Sequence, residues 1–169
     1  MHARIPSAAL LALAASLVSA GNVVVDNLCT FNLYLNSNPN SDAPSAPVTL
    51  AASTEAAYTE VERGPDPAIT NNAIRIDTES DFAEPLIFTY NQDAASGYTY
   101  YALSTIFGDP LLAQGFEVVT DGGHAVVACP PRTGGDCPGT YSPSNPNGNN
   151  AVYAVPNGSN FNLKLCKSD

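Results

Sequence analysis

Basic side chains are scarce in this chain. Its 169 residues carry six Lys and Arg against sixteen Asp and Glu, a formal net charge of −10. Such a surface repels nucleic acid and anionic lipid, which excludes both as partners, and its plainest consequence is solubility. Histidine is almost missing: His2 lies in the N-terminal apolar segment, which leaves His124. A Ser–His–Asp triad would have to use it, and no G-x-S-x-G element accompanies it. His124, following Asp121-Gly-Gly, therefore reads as a turn residue leading into Ala125–Cys129. A copper monooxygenase site, with its N-terminal histidine and a second histidine partner, fails on the same shortage. Cysteine is limited to four, with no C-x-x-C spacing, and this removes a zinc site. No metal or cofactor is expected. After residue 20 no apolar stretch is long enough to span a bilayer. Residues 162–169 also lack the hydrophobic tail of a lipid anchor.

What is present begins with a leader. Arg4, an apolar run from Ala8 to Val18 and the small-residue site Val18-Ser19-Ala20 have the order of a secretory signal over residues 1–20. Cleavage leaves 149 residues at a net charge of −11, the length of one domain. In an oxidising compartment Cys29, Cys129, Cys137 and Cys166 allow three pairings. The preferred one joins Cys29 to Cys166 and Cys129 to Cys137. The long bridge ties the first strand to the last, and the short one closes the Pro- and Gly-rich segment between its cysteines as a hairpin clip. Loop-closure entropy makes these worth about 5 and about 2.6 kcal/mol, less any strain. Asn157-Gly158-Ser159 is an N-glycosylation sequon and predicts a surface loop there. The product is expected to be a secreted monomer, extracellular or held in a cell wall.

The remaining pattern is strands and turns. Val23, Val25 and Leu28 open one extended segment; Phe31, Leu33 and Leu35 alternate with Asn32, Tyr34 and Asn36. Pro47–Ala52, Ala57–Val61, Ile74–Asp77, Phe116–Thr120, Ala125–Cys129, Ala151–Val155 and Phe161–Leu165 are further candidates. Leu86–Tyr90 and Tyr98–Leu103 read as a hairpin across Asn91–Gly97. Ser104–Pro110 is expected to wind one helical turn. Asn36–Pro47, Gly64–Asn72 and Ser142–Asn150 read as loops. About ten short strands with little helix imply an all-β, antiparallel sandwich or barrel.

Val23-Val-Val-Asp-Asn-Leu-Cys-Thr-Phe-Asn-Leu-Tyr-Leu35 resembles the opening of thaumatin-like proteins. Ala73–Ile76, Pro85–Asn91 and Tyr100-Tyr-Ala-Leu-Ser-Thr-Ile-Phe-Gly-Asp-Pro110 are similar to the central block of the fungal antigenic thaumatin-like proteins, the Blastomyces yeast-phase-specific protein domain family. The resemblance covers nearly all of Gly21–Cys166. It implies a thaumatin-like β-sandwich with a first-to-last disulfide, and association with cell walls or hosts as a secreted antigen or effector. It brings no catalytic residues. Thr133-Gly-Gly-Asp-Cys137 echoes a fragment of the plant signature, but four cysteines are too few for the cysteine-rich subdomains of plant thaumatins.

The strongest polar constellation is Arg75, Asp77, Glu79 and Asp81. If the strand from Ile74 continues, residues two apart share a face with side chains roughly 7 Å apart, a spacing open to a glycosidase acid–base pair. A weak endo-β-1,3-glucanase would draw on Asp77, Glu79, Asp81 and Glu84. The preferred reading is a solvated, non-enzymatic sheet face whose like charges discourage strand pairing. Asp77–Asp81 lacks the Gly and terminal Glu of a Ca²⁺ loop. Tyr98 and Tyr100 alternate onto one face, with Tyr90 across the hairpin; with Arg75 and Asp77 they form the candidate ligand-binding set. Exposed, the tyrosines would stack on sugar rings of a cell-wall polysaccharide such as β-glucan; the preferred placement is in the core or half-buried. Phe107-Gly-Asp-Pro110 reads as a shape-setting turn. A further reading has the scaffold engage a host protein through loops such as Asn36–Pro47.

Overall fold

Eleven strands form two sheets in the computed structural model, which describes residues 21–39, 43–61, 72–121 and 127–167. The leader, His124 and parts of the loops expected at 36–47 and 64–72 lie outside the described residues. One sheet has five strands in the order β4 (Thr54–Val61), β1 (Asn22–Asn27), β11 (Phe161–Leu165), β8 (Phe116–Thr120), β9 (Val127–Cys129). The other has six, in the order β10 (Val152–Pro156), β7 (Tyr98–Ser104), β6 (Leu86–Asp93), β5 (Asn72–Asp77), β2 (Leu33–Pro39), β3 (Val48–Leu50). There is no helix among the described residues.

The two sheets meet through the inward half of each alternating strand. Phe161, from the centre of the five-stranded sheet, packs its ring 5.5 Å from Phe88 and 5.0 Å from Tyr101 on the opposite sheet. All three are buried, and removing such a ring from water is worth roughly 2–3 kcal/mol. The one polar end that Tyr90 brings into the core is satisfied: its hydroxyl donates to Glu60 Oε1 at 2.7 Å. Tyr58 donates to the other carboxylate oxygen of Glu60 at 2.8 Å, so an edge strand of one sheet is latched to the other.

The eleven strands of the described residues agree with the ten or so expected, but one feature corrects the antiparallel plan. β1 pairs with β11 in parallel, from Val23 opposite Phe161 to Asn27 opposite Leu165. Side-chain alternation fixes which face is buried but not the direction of the partner strand. The parallel pair brings Cys29 and Cys166 out at the same end, bonded with their Cα atoms 4.9 Å apart. The bond continues the pairing, since Leu28 N–H already reaches Leu165 O at 3.1 Å. The second disulfide joins Cys129 and Cys137, with Cα atoms 5.6 Å apart. Both expected pairings are present.

Three local boundaries also differ. β2 continues through Asn36 to Pro39, so the expected loop begins later; Asn36 to Pro39 pair with Arg75 to Asn72. No helical turn forms at Ser104–Pro110. The turn comes after Pro110, where Leu112 N–H bonds Asp109 O and Gly115 N–H bonds Leu111 O. Asp109 starts it by accepting from Leu111 N–H at 3.3 Å, a side-chain turn followed by a proline. Finally, β5 stops at Asp77. Its Oδ1 accepts from Thr78 N–H at 2.7 Å, and its Oδ2 accepts from Glu84 N–H at 3.1 Å. A carboxylate that satisfies local backbone donors turns the chain instead of extending it.

Candidate functional site

The hairpin β6–β7 builds a surface because its alternation is strict. Leu86, Phe88, Tyr90 and Gln92 point into the sandwich, so Ile87, Thr89, Asn91 and Asp93 point out. On β7 the inward set is Thr99, Tyr101 and Leu103; the outward set is Tyr98, Tyr100, Ala102 and Ser104. Opposed residues of antiparallel strands share a face. Tyr100 therefore sits beside Asn91 on one side and Ala154 on the other, and Ala102 sits between Thr89 and Val152.

A groove of about 500 Å³ runs over this outer face, bounded by Ile87, Asn91, Tyr100, Val152, Phe107 and Tyr141. No Asp, Glu, Lys, Arg or His lines it among the described residues, although the chain as a whole carries a charge of −10. Three of the large apolar or aromatic side chains exposed on the molecule line it, Tyr100, Phe107 and Val152, and Tyr98 lies two residues along β7 on the same face. Phe107 is 66% exposed. Tyr141 is set by Gly148, where an added Cβ would fall 2.1 Å from the tyrosine ring.

Below the groove, Tyr101 stacks on Tyr153 with ring centroids 5.5 Å apart. Burial, with a further contribution from Tyr153, pushes the Tyr101 phenol from 10.0 up to about 12. At the turn end of the hairpin, Asp93 is held below the usual carboxylate range by hydrogen bonds from Ser96 and Ala95. Asn157 closes the same end. Its Nδ2 donates to Asp93 O at 3.1 Å, and its Oδ1 accepts from the Thr99 hydroxyl at 3.0 Å. The sequon asparagine is on a partly exposed turn as expected, but both ends of its carboxamide are engaged.

The four residues of the expected ligand set, Arg75, Asp77, Tyr98 and Tyr100, all lie on this outer face, in two unlike pairs. Arg75 Nε donates to Asn36 Oδ1 at 3.0 Å, and its guanidinium carbon lies 5.7 Å from the Phe82 ring centre. Asp77 is buried and spent on backbone N–H groups. Both secure the turn at 78–84. Tyr98 and Tyr100 are 47% and 39% exposed, so of the expected core or half-buried placements the core one does not hold. Tyr90 is not their neighbour: it points inward, opposite Tyr101. The row of carboxylates does not form either. With β5 ended at Asp77, Glu79, Asp81 and Glu84 are exposed along a turn and share no strand face with it. No group of three or more His, Cys, Asp or Glu among the described residues could hold a metal ion, and no described helix is long and apolar enough to cross a membrane.

Residue-type reasoning overlooked Phe107, Tyr141 and Val152. A Phe-Gly-Asp-Pro turn directly after a strand with outward tyrosines was the available signal for Phe107. Tyr141 and Val152 come from distant segments that only the tertiary fold brings alongside β7.

Comparison with known proteins agrees with this architecture. The chain matches the family described as Blastomyces yeast-phase-specific protein over residues 10–167. Among solved structures, the protein elicitor MoHrip2 from Magnaporthe oryzae superposes with a TM-score of 0.71, covering 88% of this chain and 100% of that one. At 23% sequence identity the likeness is one of fold. No curated protein matches the sequence.

Proposed function

The chain belongs to the Blastomyces yeast-phase-specific protein family, and from that premise we propose that it works outside the cell as a non-enzymatic binding protein, holding a neutral polysaccharide such as β-glucan on the outer face of the six-stranded sheet. The observation that carries this is the uncharged groove beside two exposed tyrosines in a strongly acidic chain. Tyrosine offers a sugar ring a flat apolar face and a hydrogen-bonding tip. Asn91, Thr89 and Ser104 add neutral donors and acceptors to the same floor. A neutral, polyhydroxylated chain meets no repulsion there, whereas an anionic one would meet the field of the whole molecule.

Two disulfides favour an oxidising, extracellular setting. Support for a non-hydrolytic role comes from Asp77, whose two carboxylate oxygens are taken by backbone N–H groups. The same reading takes the stapled two-sheet body as thaumatin-like and places the protein in a fungal wall or at a host surface. Sedimentation with insoluble β-glucan, chitin and mannan tests it. The protein is expected to pellet with β-glucan; recovery in the supernatant with all three polymers would remove the proposal.

A further inference from the structure

Phe107 is the most exposed large apolar residue of the described chain, yet the segment that carries it is fastened on both sides. On one side Gly108 lies flush against Glu84. An added Cβ there would fall 2.3 Å from Glu84 Cβ and 2.7 Å from its Cα, so no other residue fits this approach. On the other side Asp109 pairs with Arg132, and both side chains are largely buried, 13% and 15% exposed. Arg132 belongs to the segment closed by Cys129–Cys137.

The guanidinium spends its donors in three directions. Nη2 meets Asp109 Oδ2, Nε donates to Gly135 O at 2.9 Å, and Nη1 meets Cys129 Sγ. The backbone N–H of Arg132 bonds Leu112 O at 2.9 Å, joining the clip to the turn after Pro110 a second time. Arginine is suited to this because its donors form a rigid planar fork; a lysine ammonium is one compact charge. Burial lifts the Asp109 carboxyl above the usual range and the Arg132 charge pulls it back in part.

We propose that Arg132 and the Cys129–Cys137 clip are a positioning device that holds Phe107 as the fixed end wall of the groove, with Arg132 itself touching no ligand. The arm of this inference that concerns ligand rests on the polysaccharide reading above; the arm that concerns Phe107 does not. An aromatic wall that is already immobile loses little conformational freedom when a sugar stacks against it, so immobilisation appears as affinity.

The chain contains no tryptophan, so F107W places a single fluorescent reporter at the wall. The expected result is high emission anisotropy in F107W, measured together with the lifetime, while acrylamide quenches it readily because the position is exposed. In F107W/R132A the anisotropy falls, and R132K restores only part of the difference. The pair D109N/R132Q leaves no unpaired charge and guards against simple unfolding; it is expected to loosen the reporter in the same direction. With the native Phe107, R132A is expected to weaken retention on β-glucan by about ten-fold. Unchanged anisotropy in both R132A and D109N/R132Q overturns the device. A loosened reporter with undiminished retention overturns its service to the groove. A loosened reporter when no form is retained upholds the device and removes the polysaccharide reading instead.

Discussion

Tyr100 stands directly opposite Asn91 on the outer face of the six-stranded sheet, one residue along from the Tyr90–Tyr101 pair that faces the core. The two pairs are adjacent in sequence and differ completely in environment: Tyr90 and Tyr101 are each 1% exposed, and Tyr100 is 39% exposed. One side of the hairpin holds the sandwich together, and the other offers aromatic surface to solvent. Substitutions on the two sides should therefore separate stability from binding.

Y98A/Y100A should remove retention on β-glucan while leaving thermal unfolding nearly unchanged. Exposed side chains away from caps and buried networks usually shift stability by less than about 0.5 kcal/mol. F161A, whose ring meets Phe88, Tyr90 and Tyr101, should instead cost about 3–5 kcal/mol in urea unfolding.

The Tyr101 phenol predicts an alkaline limb of stability. Its folded pKa is raised to about 12 from 10.0, so the folded protein holds that proton more firmly than the unfolded chain does. Below 10 the phenol is protonated in both states and contributes no pH dependence. Between 10 and about 12 the unfolded chain loses the proton first, and stability falls as pH rises. Melting temperatures across this range should drop less steeply in Y101F than in the native protein.

Replacing Cys29 and Cys166 by serine should cost about 2–5 kcal/mol in urea unfolding. Replacing Cys129 and Cys137 should cost less, because the short clip closes a sequence separation of 8 against 137 for the long one. Equal losses from the two pairs would contradict the entropic ordering.

Asn157 is expected to act structurally whether or not it carries a sugar. N157A deletes a donor to Asp93 O and an acceptor for Thr99, and should destabilise by about 1–2 kcal/mol. S159A destroys the sequon but leaves both of those contacts and should cost less. Urea unfolding of the two variants, with intact mass to score the glycan, checks this.

Much of the strand framework was legible from alternation, because apolar residues two apart have one destination. The β6–β7 hairpin, the segments leading to β5 and β8, and the short Cys129–Cys137 clip are signalled by local pattern, while Cys29–Cys166 was the preferred one of three possible pairings. The faces of β7 did not follow. Tyr98, Tyr100 and Tyr101 put aromatics on both sides of one strand, and only pairing with β6 and β10 decides which side meets the core. Parallel pairing of β1 with β11 is equally invisible, since a strand reads the same in either direction. Whether the strand runs on past Asp77 is not a local property either, since one oxygen of the Asp77 carboxylate accepts from Glu84 N–H, seven residues on. Phe107 looked like turn filler because its exposure depends on Glu84 and Arg132 lying beneath its segment.

The central claim is that the outer face of the six-stranded sheet binds a neutral glucan. Amide chemical-shift mapping with a soluble β-1,3-gluco-oligosaccharide tests it most directly. Saturable shifts confined to Thr89, Asn91, Tyr98, Tyr100 and Phe107 are the predicted result. Shifts centred on the five-stranded sheet, or none at saturating sugar, would contradict it.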